Sequence, residues 1–105
     1  MNDEQIEKLK DNYLPSDLYR LAIHDVMLNN NKSLELICTI DTLVDLSRDN
    51  AKLNHALNHC GNFNYFLLHD DSVIPLSDND LIEYVCIHTY FDYDYALDYL
   101  ESIYG

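Results

Sequence analysis

A chain of 105 residues with 6 Lys and Arg against 19 Asp and Glu has a formal net charge of −13. That length sets one small domain with a modest core, and that charge excludes nucleic acid and anionic membranes as partners, leaving a basic surface as the natural one. Hydrophobic residues at 48% and aromatics at 11% also exclude a disordered acidic tail, which is poor in both.

Asp3 to Asn12 reads as a short helix, capped by Asn2 or Asp3, with acids in its first turn and Lys8 and Lys10 near its end. Leu14-Pro15 stops it. Ser16 is the expected N-cap of a second helix over Asp17 to about Leu28, with Leu18, Leu21, Ala22 and Val26 on one face. Tyr19, Leu21 and Ile23 also alternate, so a strand over Leu18 to Ile23 fits as well. Asn29-Asn30-Asn31 is expected as a turn. From Ser33 to Asp49 the start fits either period: Leu34, Leu36, Cys38 and Ile40 alternate, whereas Leu36, Ile40, Leu43 and Val44 are helical. A helix is favoured from Thr39 or Asp41 onward. Ala51 to Cys60 is a further helix, with Leu53, Ala56, Leu57 and Cys60 inward and Gly61 at C′.

Phe63 to Leu68 is the best strand, short, aromatic and bounded by Gly61-Asn62 and Asp70-Asp71. Val73 to Leu76 pairs with it as an edge, because Pro75 cannot donate to a central ladder. Ser77 opens a helix running to about Thr89, with Leu81, Ile82, Val85 and Cys86 inward. The last helix runs from about Asp92 to Tyr104. Two Pro and two Gly are too few to mark a linker, so the expected architecture is a single compact domain over residues 1–105. It is mainly α, or α+β with at most a two- to three-stranded β piece.

The signs of charge are segregated. After Lys52 there is no Lys or Arg, while the last 53 residues hold Asp70, Asp71, Asp78, Asp80, Glu83, Asp92, Asp94, Asp98 and Glu101, with seven of the nine tyrosines. Self-repulsion of this kind destabilises a compact state, and the stretch has no salt bridge of its own to offset it. A biased AT-rich coding composition explains the eleven asparagines. It does not explain the missing Lys, whose codons are also AT-rich. At 100° per residue, Tyr93, Ala96, Leu97, Leu100, Ile103 and Tyr104 form the core stripe of the last helix. Asp94, Asp98 and Glu101 share a separate face, with Asp94 and Asp98 about 6 Å apart along the axis. Like charges at i, i+4 cost roughly 0.2–0.5 kcal/mol, and nothing in the fold requires them. A row of carboxylates resembles a row of phosphates, and DNA-binding clefts carry Lys and Arg to meet such a row. Tyr95 and Tyr99 flank it and suit guanidinium planes.

Other constellations carry less. His55, His59 and Cys60 share a helix, but without a Cys-x-x-Cys or His-Glu-x-x-His run the expectation is no metal and no cofactor. His24-Asp25 and His69-Asp70 are sequence neighbours, which do not face one another on a helix or strand. No phosphate loop or nucleophile elbow is present, so no catalytic residue and no enzyme are expected. Cys38, Cys60 and Cys86 are widely spaced and odd in number, which suits free thiols in a reducing, cytoplasmic setting. The N-terminus is charged from its start and does not read as a signal peptide, and no apolar run reaches membrane-spanning length.

Two segments resemble the ArdA-type antirestriction proteins of mobile elements. Leu21-Ala22-Ile23-His24-Asp25, followed by Thr39-Ile40-Asp41-Thr42-Leu43-Val44-Asp45-Leu46, looks like that family's Tyr-Ala-Ile-His-Asp stretch and the helix start downstream of it. Tyr93-Asp94-Tyr95-Ala96-Leu97-Asp98-Tyr99-Leu100-Glu101-Ser102 is similar to its Tyr-Asp-x-Ala-x-Tyr-Tyr-Ile-Glu-Glu helix. Members of that family are acidic mimics of B-form DNA that occupy type I restriction enzymes, and small acidic phage anti-CRISPR proteins act on Cas effectors by similar means. The resemblance therefore implies an inhibitor of a nucleic-acid-directed defence system, phage- or mobile-element-encoded.

The expected contact residues are Asp78, Asp80, Glu83, Asp92, Asp94, Tyr95, Asp98, Tyr99 and Glu101, with Asp70 and Asp71 as secondary candidates. The expected partner is the basic DNA-binding surface of a Cas effector or restriction enzyme, with no direct contact to nucleic acid or membrane. An immunity protein or antitoxin neutralising a basic nuclease toxin uses the same physics and is the alternative. Exposed tyrosines in the last helix leave a homodimer open.

Overall fold

The computed structural model describes residues 1–59, 61–70 and 72–104. In chain order the elements are α1 (Asp3–Asn12), α2 (Pro15–Asn29), α3 (Lys32–Glu35), β1 (Ile37–Thr39), α4 (Ile40–Ser47), α5 (Ala51–His59), β2 (Tyr65–His69), β3 (Ser72–Leu76), α6 (Asp78–His88) and α7 (Tyr93–Tyr104). The protein is mainly α with one small antiparallel sheet, as its sequence patterning predicts. No described helix is long and apolar enough to cross a membrane. The described residues fall into two compact units, one formed by residues 1–35 and 78–105 and the other by residues 36–77.

The first unit contains α1, α2, α3, α6 and α7. Asn2 caps α1 through a capping box with Gln5. The second helix starts earlier than Ser16 predicts. Pro15 occupies its first turn, where a missing N–H costs nothing, and the Asp17 carboxylate accepts the Leu14 N–H at 2.9 Å. Ser16 is left exposed and is not the cap. The alternation of Tyr19, Leu21 and Ile23 lies within α2, so no strand forms there. The helix ends at Asn30 in the left-handed region, with φ 54, whose N–H donates to the Val26 carbonyl. Buried Asn31 then starts α3, accepting the Ser33 N–H on its side chain at 3.2 Å. The core of this unit is Ile6, Leu9, Leu18, Leu21, Ala22, Leu34, Leu81, Ile82, Val85, Cys86, Ala96 and Leu100. The stripe expected on α6 is buried in full.

On α7 the inward stripe is narrower than expected. Ala96 and Leu100 are fully buried, Tyr93, Leu97 and Ile103 are half-buried, and Tyr104 is 62% exposed. Tyr104 sits in the last turn and packs beside Tyr13 instead, with ring centroids 6.1 Å apart. Its hydroxyl donates to the Asp17 carboxylate.

The second unit is a three-stranded antiparallel sheet in the order β1-β2-β3, with α4 and α5. Phe66, opposite Cys38 on one side and Pro75 on the other, lies in the central strand. The edge expected for Pro75 is where β3 runs. Thr39 ends β1 and caps α4, accepting the Thr42 N–H at 3.3 Å, and Asn50 caps α5. Phe66, Leu43 and Cys38 are buried together, with Ile40, Leu53, Leu57, Leu68 and Val73 packed against them. Helix α5 buries no residue fully: Leu53, Ala56 and Leu57 face inward but are only half-covered. The central strand starts at Tyr65, two residues later than expected, and leaves Phe63 exposed. Gly61 takes φ 75, the backbone expected of it as a C′ residue. Cys60, expected inward on α5, lies outside the described residues.

Candidate functional site

The buried carboxylate of Asp25 sets where the last helix begins. Asp25, on α2, has no exposed surface. It accepts hydrogen bonds from Asn29 Nδ2 at 2.7 Å, Asn31 Nδ2 at 3.0 Å, Thr89 Oγ1 at 2.7 Å and the Tyr90 N–H at 2.9 Å. Burial alone raises its pKa, but these four donors outweigh that and hold it below the ordinary 3.8. Asn31 Nδ2 also donates to the His88 carbonyl. The segment 88–90 is thereby fixed against α2. Asp92 then caps α7 by accepting the Tyr95 N–H at 2.8 Å.

The outer face of α7 presents Asp94, Asp98 and Glu101 to solvent. One side of this row is aromatic. His24 lies flat on Tyr99, with ring centroids 4.5 Å apart and planes 7° from parallel. It also stacks with Tyr95 and Phe91, and its Nε2 lies 2.9 Å from the Tyr95 hydroxyl. Tyr99 therefore has His24 stacked on one ring face, and Tyr95 has Phe91 stacked on its ring at 4.2 Å between centroids. Beyond them α2 exposes Ile23 and Met27, the latter 81% exposed, around a shallow hollow shared with Arg20 and Tyr99. On the other side of the row an open groove runs between α1 and α7, lined by Lys8, Leu9, Asn12, Tyr13, Tyr93, Leu97, Glu101 and Tyr104.

The remaining expected contacts are placed differently. Glu83 accepts a hydrogen bond from Lys10 Nζ at 2.8 Å. It is thus a paired carboxylate, joined to a lysine of the first helix. Lys10 also lies 3.5 Å from Glu7, and its pKa is raised, chiefly by the hydrogen bond to Glu83. Asp78 and Asp80 stand in the first turn of α6, where carboxylates favour the unpaired N–H groups of a helix start. Asp92 is the α7 cap. In the second unit, Asp70 follows β2 with φ 53, a left-handed backbone that Asp tolerates in a hairpin turn, and its carboxylate lies 3.6 Å from His69. Asp71 lies outside the described residues. Of the nine primary candidates the structure brings Asp94, Tyr95, Asp98, Tyr99 and Glu101 onto one helix surface, in the order the helical period predicts.

The histidines and cysteines have other surroundings. His55 and His59 lie side by side and exposed on α5, ring centroids 4.4 Å apart. Among the described residues no group of three or more His, Cys, Asp or Glu side chains is arranged to hold a metal. Cys38 and Cys86 are free and buried, and burial pushes both thiols up to about 11. Among the described residues no buried side-chain polar atom lacks a partner. No family model, no curated protein and no solved structure matches this chain.

Proposed function

We propose that this protein is a non-enzymatic inhibitor that competes with DNA for a basic cleft of a bacterial defence complex, a Cas effector or a restriction enzyme. The observation that carries the reading is the row Asp94, Asp98 and Glu101. All three carboxylates are exposed on one face of α7. Core contacts are made by a different face, through Ala96 and Leu100. The row costs the helix a little stability through like-charge spacing, and only Asp94, in the first turn of α7, favours the helix start. It lies along a chain region without a single Lys or Arg after Lys52. The resemblance of residues 21–25, 39–46 and 93–102 to ArdA-type antirestriction proteins supports the same class.

Lys and Arg that hold phosphates in such a cleft meet a comparable line of negative charge here. Opposite fields speed the encounter and make it salt-sensitive. Tyr95 and Tyr99, stiffened by the His24 stack, add amphipathic area of the kind that dominates interface energetics. The protein then acts in the host cytoplasm, with no catalysis and no cofactor. The test is a pulldown from lysates expressing defined Cas effectors and type I restriction complexes, washed at two salt concentrations. A Cas or restriction subunit retained at low salt and released by added duplex supports the reading. Retention of a small basic nuclease in its place, or release unaffected by DNA, contradicts it.

A further inference from the structure

We infer that the groove between α1 and α7 receives an arginine side chain of the protein partner. The inference rests on the reading of α7 as the surface that meets a basic protein, and it names the contact chemistry of that surface.

The groove encloses about 490 Å³, room for a guanidinium and part of its stem. Leu9, fully buried, and Leu97, half-buried, lie beneath it. Three tyrosines, Tyr13, Tyr93 and Tyr104, surround it, and Glu101 stands among them. The ring of Tyr104 is tilted 35° from that of Tyr13 and is held there by the hydrogen bond from its hydroxyl to Asp17. The Tyr13 hydroxyl has a raised pKa, first from burial and then from the Glu101 carboxylate, the Tyr93 hydroxyl and the Asp17 carboxylate near it. The Tyr104 hydroxyl is raised as well, first by its bond to Asp17. Both tyrosines are neutral at physiological pH; the Glu101 and Asp17 carboxylates stand near Tyr13, and Asp17 near Tyr104, where Arg20 acts the other way.

A planar cation fits these surroundings better than any other group. Ring faces attract a guanidinium through their quadrupole, and a carboxylate takes it with two parallel hydrogen bonds. Lysine has the charge but not the plane or the fork. Lys8 also lines the groove, in an exposed pair with Glu4 at 3.6 Å. Glu101 belongs to the exposed row as well as to the groove. A partner whose cations run along Asp94 and Asp98 thus brings its next side chain to the tyrosines. The occupant is a different protein, since a chain of net charge −13 with two arginines, Arg20 and Arg48, is a poor partner for itself.

The test titrates the full-length, isotope-labelled protein with hexa-arginine and, separately, hexalysine at physiological ionic strength, reading amide and tyrosine ring shifts. The expected result is about tenfold tighter binding of hexa-arginine, the sum of two or more ring contacts. The largest shifts should fall at Tyr13, Tyr93, Leu97 and Tyr104. Tyr93→Leu should remove part of the preference for arginine, and Glu101→Gln should weaken both peptides. Equal affinities on the unaltered protein, with no shift at Tyr93, overturn the groove while leaving the acidic row as a contact for basic proteins. Absence of binding by either peptide overturns both.

Discussion

The Thr89 hydroxyl donates to the buried carboxylate of Asp25 at 2.7 Å, and this bond fixes the segment from which the last helix starts. Asp25→Ala leaves Asn29, Asn31, Thr89 and the Tyr90 N–H without their acceptor, at a cost of about 3 kcal/mol. The loss is read as a lower urea midpoint. The pH dependence has a definite sign. The folded pKa of Asp25 lies below the ordinary 3.8, so the unfolded chain binds the proton more tightly. The stabilisation is complete above the unfolded value and is lost as pH falls through the folded one. Thermal melts followed from neutral pH into acid should show this loss, and Asp25→Ala should flatten that part of the profile.

His24 bridges α2 to the aromatic side of the acidic row, through Phe91, Tyr95 and Tyr99. His24→Ala removes three stacked contacts and should lower stability by about 1 kcal/mol. His24→Phe keeps the stack and loses the contact to the Tyr95 hydroxyl, so it should lie much closer to the parent. Calorimetric melts of the two variants separate ring packing from the polar contact. A parent-like His24→Ala would mean that the stack contributes nothing.

Both described thiols should be inert in the native state. Cys38 and Cys86 are buried, and with thiols pushed up to about 11 they hold almost no thiolate near neutral pH. Alkylation with iodoacetamide followed by peptide mass spectrometry should leave both unmodified without denaturant. Both should react at once in urea.

The row on α7 should be dispensable for folding. Asp94, Asp98 and Glu101 replaced together by Ala should fold as the parent does. Relief of the Asp94–Asp98 repulsion and loss of the Asp94 carboxylate from the first turn of α7 oppose one another, so stability should change by less than about 1 kcal/mol. The association rate with a basic partner should fall by about tenfold and lose most of its salt dependence. Stopped-flow mixing at two ionic strengths gives both quantities.

Helices with ordinary caps and a clear period were legible from the residues: α1 with its Asn2 cap, α6 with its buried stripe and α7 with its acidic row. Ser16 misled because Pro15 takes the first helical turn and Asp17 reaches back to the Leu14 N–H. The four residues of α3 are too few to show a period, and its cap, Asn31, stands in a run of asparagines that reads as a turn. Tyr104 belongs to the core stripe by angle, yet at the helix end it turns to Asp17. At the site, the spacing of Asp94, Asp98 and Glu101 follows from the helical period alone. The pairing of Glu83 with Lys10, 73 residues away, does not. Nor does the stack of His24 on Tyr99, because both depend on how separate helices pack.

The most direct measurement is displacement of a labelled DNA duplex from a purified type I restriction complex or Cas effector, with the parent protein and the Asp94/Asp98/Glu101→Ala variant compared at low and high salt. The account predicts that the parent displaces the duplex from its target at low salt and loses potency as salt rises, while the variant displaces little at either. Equal displacement by parent and variant, or potency unchanged by salt, would contradict it.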